Sequence, residues 1–514
     1  MNYKIKLSAE KELEFYSGEF IAISGDSGSG KTTLLKKIAQ NLKENKISVG
    51  FVLQDVDAQI ITDKVWHELC FSLENEGLKK EAMSVRIAEM ANYFGLQSFI
   101  DNDISTLSGG QKQLLNLASI MATCPEVLIL DEPTSQLDPM VSEVLLKIIK
   151  KINDDFGTTI IICDYRIEEI FDYCDKYGFL NNGKIEFYGT TEELLKFVYK
   201  SNSELKFYLP VPTRIFYEGE LDRFHKFDRI VSVRDCRNLI ENTFKNNSSE
   251  IKTNNKIDSG DCIIKAKNIW FRYKRNEKDI VKDLSINIPR KKITAIVGGN
   301  GSGKTTFLKL LAGILTQYSG KINLDKISLN NRFSDILLLP QNPKNVLSKN
   351  SVLEELAEMF SEGQTINDSE IKKIVSCCRL DNLINVHPFD LSVGEIQRLV
   401  FAKVLIKNPK ILLLDEPSKG MDNAYKYEFS KMLKKCTEKG MTIIFVSHDI
   451  EFTAYTADYV GLMFNGRIDS LSNTVDFFSS NNFYSTISNK ICRKVFPNVI
   501  TIDDAINSIK GKKI

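Results

Sequence analysis

GDSGSGKTT at 25–33 follows the apolar run FIAIS (20–24), and GGNGSGKTT at 298–306 follows ITAIV (293–297). Each reads as a strand that runs into a glycine-rich turn and then a helix. Glycines let successive backbone N–H groups curl around a phosphate, and a helix N-terminus adds its dipole. The candidate phosphate-holding residues are Gly25, Asp26, Ser27, Gly28, Ser29, Gly30, Lys31, Thr32 and Thr33 in one copy. In the other they are Gly298, Gly299, Asn300, Gly301, Ser302, Gly303, Lys304, Thr305 and Thr306. Lys31 and Lys304 suit β- and γ-phosphate oxygens, and Thr32 and Thr305 suit Mg2+.

Working outward, the repeat continues. VLILDEPTSQLD (127–138) returns as ILLLDEPSKGMD (411–422), and LSGGQKQ (107–113) as LSVGEIQ (391–397). Ser108 lies 24 positions before Glu132, and Ser392 lies 24 before Glu416. From the first loop glycine to the acid the halves differ, at 107 positions against 118. The repeat unit is a domain of about 200 residues, too long for a solenoid repeat. TTIIIC (158–163) and MTIIFVS (441–447) are further continuous apolar runs, as strands buried on both faces require. Alternation of such runs with amphipathic stretches predicts an α/β fold with a mainly parallel, doubly wound sheet in each half.

The expected organisation is a first nucleotide-binding domain at 1–200, an appended small module with a polar linker at 201–258, a second domain at 259–475, and a C-terminal module at 476–514. The two appended segments echo one another. Each runs helix-like, then through a short β-branched stretch (IVSV at 230–233, VITI at 499–502), then into Asp and a second helix.

Lys plus Arg number 68 and Asp plus Glu 67, so the formal charge of +1 lacks the signature of a strongly basic nucleic-acid binder. No apolar run approaches the roughly 18 residues of a spanning helix. The N-terminus carries acids and does not read as a signal peptide. Ten cysteines include no CxxC pair, which fits reduced thiols and argues against a zinc ribbon or iron–sulfur cluster.

Asp131 and Asp415 end apolar strands, which places each beside the metal with Thr32 and Thr305. Glu132 and Glu416 follow, where a carboxylate can polarise an attacking water. Together with Leu107-Ser108-Gly109-Gly110-Gln111, these residues make the chain resemble the ABC ATPase superfamily over nearly its whole length. The resemblance implies two tandem P-loop domains, each with a helical subdomain, closing head to tail. It implies Gln54 and Gln341 as Q-loop residues that reach Mg2+ and the attacking water. Ser135–Asp138 and Ser418–Asp422 become the D-loops, His448 the switch histidine, and Tyr273 an adenine-stacking ring. Each ATP would lie between one half's phosphate loop and the other's signature, Ser108, Gly109 and Gly110 or Ser392 and Gly394.

Three departures gather on one composite site. The first half has no room for a full adenine loop, leaving only Tyr3 as a doubtful substitute. Its switch position reads Cys163-Asp164-Tyr165-Arg166 with no histidine. The second half's signature carries Val393 and Glu395 in place of Gly and Gln. His67, His225 and His387 are assigned no chemistry.

Within the superfamily, QDVDAQ (54–59), QNPKNVLSKNSVLEEL (341–356), HPFDLSVGEIQR (387–398) and DEPTSQLDP (131–139) are similar to the double ATPase subunits of energy-coupling factor (ECF) importers of vitamins, their precursors or transition metals. That likeness implies ATP and Mg2+ as ligands, and a transmembrane T-type scaffold and a substrate-binding membrane subunit as partners. It implies the cytoplasmic face of the membrane as location, with 55–63 and 342–350 as scaffold grooves. The rival reading is a soluble tandem-ABC protein acting on ribosomes or nucleic acid. Near-zero charge and the lack of a long charged helical linker oppose it.

Overall fold

The computed structural model describes all residues except 1, 9–10, 26–27, 136, 138, 165–167, 169, 182, 202–203, 224, 226–230, 245–260, 300, 326, 328–331, 360–367 and 513–514. The expected linker falls largely outside the described residues. The chain divides into one unit of 1–210 with 228–230 and another of 211–227 with 231–514.

In the first unit a hairpin of β1 (Asn2–Ser8) and β2 (Lys11–Tyr16) precedes β3 (Phe20–Gly25), β4 (Val49–Val52), β5 (Val127–Asp131), β6 (Thr159–Cys163), β7 (Lys176–Asn181) and β8 (Lys184–Thr190). The last six form one sheet, ordered β4-β5-β6-β3-β7-β8. All its pairs are parallel except β7–β8. Every residue of β3, β5 and β6 is buried, which is why these runs are continuously apolar instead of alternating.

The second unit repeats the topology. Here β9 (Cys262–Phe271) and β10 (Val281–Pro289) precede β11 (Ile293–Val297), β12 (Ser319–Leu324), β13 (Ile336–Leu339), β14 (Ile411–Asp415), β15 (Thr442–Ser447), β16 (Tyr459–Phe464) and β17 (Arg467–Asn473). The main sheet runs β13-β14-β15-β11-β16-β17, and β10-β9-β12 form a separate antiparallel sheet. The first unit has no counterpart of β12 among its described residues. Its helix Lys31–Glu44 reaches β4 across 45–48 alone. That explains the unequal spacing: 29 positions separate Gly25 from Gln54, and 43 separate Gly298 from Gln341.

The two appended segments, read from the sequence as one module after each half, share one core. Val211, Ile215, Phe216, Cys236, Leu239, Ile240 and Phe244 pack with Ile491, Cys492, Val495, Phe496, Ile502 and Ile509. The echo between them is physical. Ser232 caps the helix Val233–Thr243 by accepting from Asp235 N, and Thr501 caps Ile502–Gly511 by accepting from Asp504 N. Buried Thr213 accepts from Val231 N at 3.1 Å, and buried Asn489 donates to Val499 O at 2.8 Å, so each first helix fastens the chain just ahead of the second.

Phe496, whose ring lies 5.5 Å from that of Phe244, tests the shared core. Phe496→Ala should cost about 3–5 kcal/mol. It should also strip hydrogen-exchange protection from the helix Val233–Thr243, more than 250 positions earlier; protection lost only near residue 496 would mean two separate tails.

Candidate functional site

Parallel pairing sets the register of each site. Asp131 stands opposite Cys163, which stands opposite Ile23, two residues before Gly25. In the second half Asp415 stands opposite Val446, and Val446 opposite Ile296. The acids, the loops and the strand between them therefore end at one level, the carboxyl edge of the sheet, where open α/β sheets bind ligands.

Each loop fits a phosphate. Lys31 Nζ donates to Gly25 O at 2.9 Å, and Lys304 Nζ to Gly298 O at 2.8 Å. The hydroxyls of Ser29 and Ser302 are buried without a partner among the described residues, one orphan per loop. Gly30 and Gly303 are left-handed, at φ 92° and 104°, and open the helices that begin at the lysines. Asp26, Ser27 and Asn300 lie outside the described residues. Gly28, Thr33, Gly299, Gly301 and Thr306 complete the loops and their first helical turns.

Each site also fits a hard divalent cation, because Thr32 Oγ1 meets Asp131 Oδ2 at 2.7 Å and Thr305 Oγ1 meets Asp415 Oδ1 at 3.1 Å. Burial raises both aspartates above their ordinary value, so each gains by receiving a cation, and in the second site burial also lowers Lys304, which gains by receiving an anion.

The glutamates carry a backbone signature. Glu132 and Glu416 adopt φ 45° and 51°, uncommon for a residue with a Cβ. Each is held there by its own N–H, which donates to Cys163 O at 2.7 Å or Val446 O at 3.0 Å. The same strain at the same position in both halves marks a side chain that must be aimed.

What surrounds the two glutamates differs. Glu416 Oε2 lies 2.9 Å from His448 Nδ1 and accepts from His448 N at 3.2 Å. Glu132 accepts from Gln54 Nε2 at 2.6 Å and lies 3.8 Å from Lys31 Nζ. Gln341, the counterpart of Gln54, is exposed just after β13. Burial, reinforced by Asp164 and Asp131, pushes Glu132 up to about 7.

Strand register matches Tyr165 to His448 and Asp164 to Ser447. Tyr165 lies outside the described residues. Asp164 is a functional neighbour that sequence reasoning missed. It is buried, accepts from Thr134 Oγ1 at 2.6 Å, and adds a carboxylate where the other half has a hydroxyl. Its signal was a charged residue directly after a fully apolar strand.

Both signatures open helices through capping boxes. Ser108 pairs with Gln111 and Ser392 with Glu395. Glu395 therefore keeps the capping role of the glutamine it replaces. Gly109, the counterpart of Val393, has open space around it, whereas a Cβ on Gly110 would lie 2.6 Å from Val141. Gly394 occupies the corresponding place, in the first turn of the helix Val393–Lys407. In the D-loops Ser135 Oγ donates to Glu132 O at 2.8 Å, and Asp422 caps the helix Asn423–Glu438; Asp138 lies outside the described residues.

The ABC transporter family profile matches residues 9–135 and 281–419. The chain belongs to the ABC transporter ATPase family. An inferred ABC transporter ATP-binding protein of Bacillus cereus is 34% identical, over 96% of this chain and 93% of that one. One of Clostridium tetani is 31% identical, over 86% and 99%. The archaeal ribosome recycling factor aABCE1, in complex with ribosomal stalk protein aP1, superposes with TM-score 0.58 at 19% identity, over 90% of this chain and 87% of that one. At that identity the likeness is one of fold: tandem ABC domains, each with a parallel-rich sheet.

The loop glycines yield a direct test. A Cβ on Gly298 would lie 2.3 Å from Met463 O, whereas one on Gly299 meets nothing within 4 Å. Gly298→Ala should weaken Mg-ATP binding at that loop more than tenfold by moving the loop. Gly299→Ala should bind within about threefold of the unsubstituted chain, as measured by titration calorimetry.

Proposed function

We propose that the chain is the ATP-hydrolysing subunit of an ECF-type importer, with both ABC domains supplied in one chain and located at the cytoplasmic face of the membrane. Its partners in this reading are a T-type scaffold and a substrate-binding membrane protein. ATP binding draws the halves together, hydrolysis releases them, and the partners turn that motion into uptake of a vitamin, a vitamin precursor or a transition metal. Glu416 and Glu132 act as bases toward water. Asp415, Thr305 and Gln341, and in the other site Asp131, Thr32 and Gln54, hold Mg2+. That cation supplies charge neutralisation at the transferring phosphate.

The observation that carries the membrane reading is a matched pair of exposed apolar side chains. Trp66 and Leu353 occupy equivalent positions, 12 residues after Gln54 and Gln341, and are 41% and 43% exposed. Ile61, five residues before the first, and Val346, seven before the second, are exposed as well. Both segments are held in shape from within. Glu68 accepts from Ile61 N and Thr62 N at 3.1 and 2.9 Å, and Glu355 accepts from Ser348 N and Lys349 N. Buried Lys403 neutralises Glu355 and donates to Val346 O at 3.1 Å. Apolar groups in the first turn of a helix, behind a preformed loop, suit a helix of a membrane partner. No helix among the described residues is long and apolar enough to cross a membrane.

The nearby acids Asp55 and Asp57 serve the half itself. Asp55 caps the helix Val56–Gln59, and Asp57 pairs with Lys112 at 2.6 Å. Docking is therefore tested at the apolar pair. Ile61→Ser with Trp66→Ser should cut co-purification of integral membrane proteins from solubilised membranes at least tenfold while leaving Mg-ATP affinity within about twofold. Recovery of ribosomes or nucleic acid in their place would overturn the importer reading.

We further propose that the halves pair head to tail within the chain and hydrolyse ATP unequally. One site would combine Gly25–Thr33 and Glu132 with Ser392, Val393 and Gly394. The other would combine Gly298–Thr306, Glu416, His448 and Tyr273 with Ser108, Gly109 and Gly110. Support comes from the His448–Glu416 contact in one half and from the partly exposed Glu132, crowded by Asp131 and Asp164, in the other. Losing one transition-state interaction usually costs a factor of about 10² or more. Glu416→Gln should remove most steady-state ATPase activity of the assembled complex, and Glu132→Gln should leave a substantial fraction. Equal losses would refute the asymmetry.

A further inference from the structure

We propose that the first phosphate loop is a base-indifferent site. It takes Mg-bound triphosphates of any nucleoside, whereas the second loop also grips the base. This inference rests on the nucleotide-binding reading above and concerns what each loop recognises beyond phosphate.

The second half builds a platform. Between β9 and β10 runs a connection of nine residues, 272–280, that carries Tyr273 over the phosphate-loop helix. The Tyr273 hydroxyl meets Thr306 Oγ1 at 3.1 Å, and its half-exposed ring packs edge-on against Phe271 at 5.1 Å. The connection is braced before any ligand arrives. Arg272 Nε donates to Asp279 Oδ1 at 2.9 Å, Tyr318 OH donates to the same oxygen at 2.8 Å, and the Arg272 guanidinium lies over the Tyr318 ring. A pre-set aromatic face adds affinity for a stacked base, by about tenfold to a hundredfold.

The first half has no such connection among its described residues. Ser8 pairs with Lys11, so two residues, Ala9 and Glu10, join β1 to β2, and neither has a ring. Tyr3 sits away from the turn, opposite Phe15, is 4% exposed, and packs against that ring at 5.1 Å. It belongs to the core. Thr33, the counterpart of Thr306, is exposed, whereas Thr306 is buried in its helix and meets the Tyr273 hydroxyl. Tyr318, the second brace, lies in the stretch between the phosphate-loop helix and β13 that 45–48 replaces in the first half. The phosphate-binding parts, Lys31, Ser29, and Thr32 with Asp131, are all retained. What remains among the described residues is a triphosphate and cation site without a base platform.

Calorimetric titration of the complete chain with the Mg2+ complexes of ATP, UTP and inorganic tripolyphosphate tests this. With Lys304→Ala, which disables the second loop, ATP should bind no more than threefold tighter than UTP or tripolyphosphate. With Lys31→Ala, ATP should bind at least tenfold tighter than either, and adding Tyr273→Ala should remove that preference. In the unsubstituted chain UTP should fill one site about as tightly as ATP does and the other at least tenfold more weakly. This check does not depend on the lysine variants folding. A tenfold or greater ATP preference in the Lys304→Ala chain would overturn the inference, as would absence of binding there while the Lys31→Ala chain binds ATP. Failure of ATP to bind either variant or the unsubstituted chain would overturn the nucleotide-binding reading itself.

Discussion

In each half the strand that ends in the acidic pair lies two places from the strand that feeds the phosphate loop, and one buried strand lies between them. That middle strand hydrogen-bonds to both neighbours, and a carbonyl at its end, Cys163 O or Val446 O, captures the N–H of the strained glutamate. Slipping the register by one residue would turn every inward side chain outward and separate lysine, threonine, aspartate and glutamate. The uninterrupted apolar character of β5, β6, β14 and β15 is thus as much a condition for chemistry as for stability.

Duplication lets the chain serve as its own control. Where the halves agree, one physical demand acts on both: the orphan serine hydroxyl in each loop, the threonine–aspartate contact, the positive φ of the glutamate, the capped signature helix. Where they differ, the differences cluster around the first loop. No counterpart of the Tyr273 connection lies among the first half's described residues, the position matched to His448 holds Tyr165, and Asp164 adds negative charge near Glu132. In the proposed reading they make a site that keeps what holds a triphosphate and loses what orients and hydrolyses it quickly.

The sheet and both loops were legible in the sequence because continuous apolar runs and glycine spacing report local requirements. The histidine difference was also legible, since one strand end aligns with the other. The union of the appended segments was not. Periodicity shows that each has a face to bury, but it does not say that Phe244 will meet Phe496. Asp164 escaped notice because its meaning depends on neighbours that only the strand register supplies. Asp55 and Asp57 read only as part of a segment expected to form a scaffold groove, while the structure also gives them a helix cap and an ion pair.

The central claim is inequality between two otherwise matched ATP sites. It is tested most directly by quenching the assembled complex during turnover with Mg-ATP and analysing the nucleotides that remain bound. The account predicts that intact ATP persists at one site per chain while the other cycles through ADP. Finding ADP equally at both sites would contradict it.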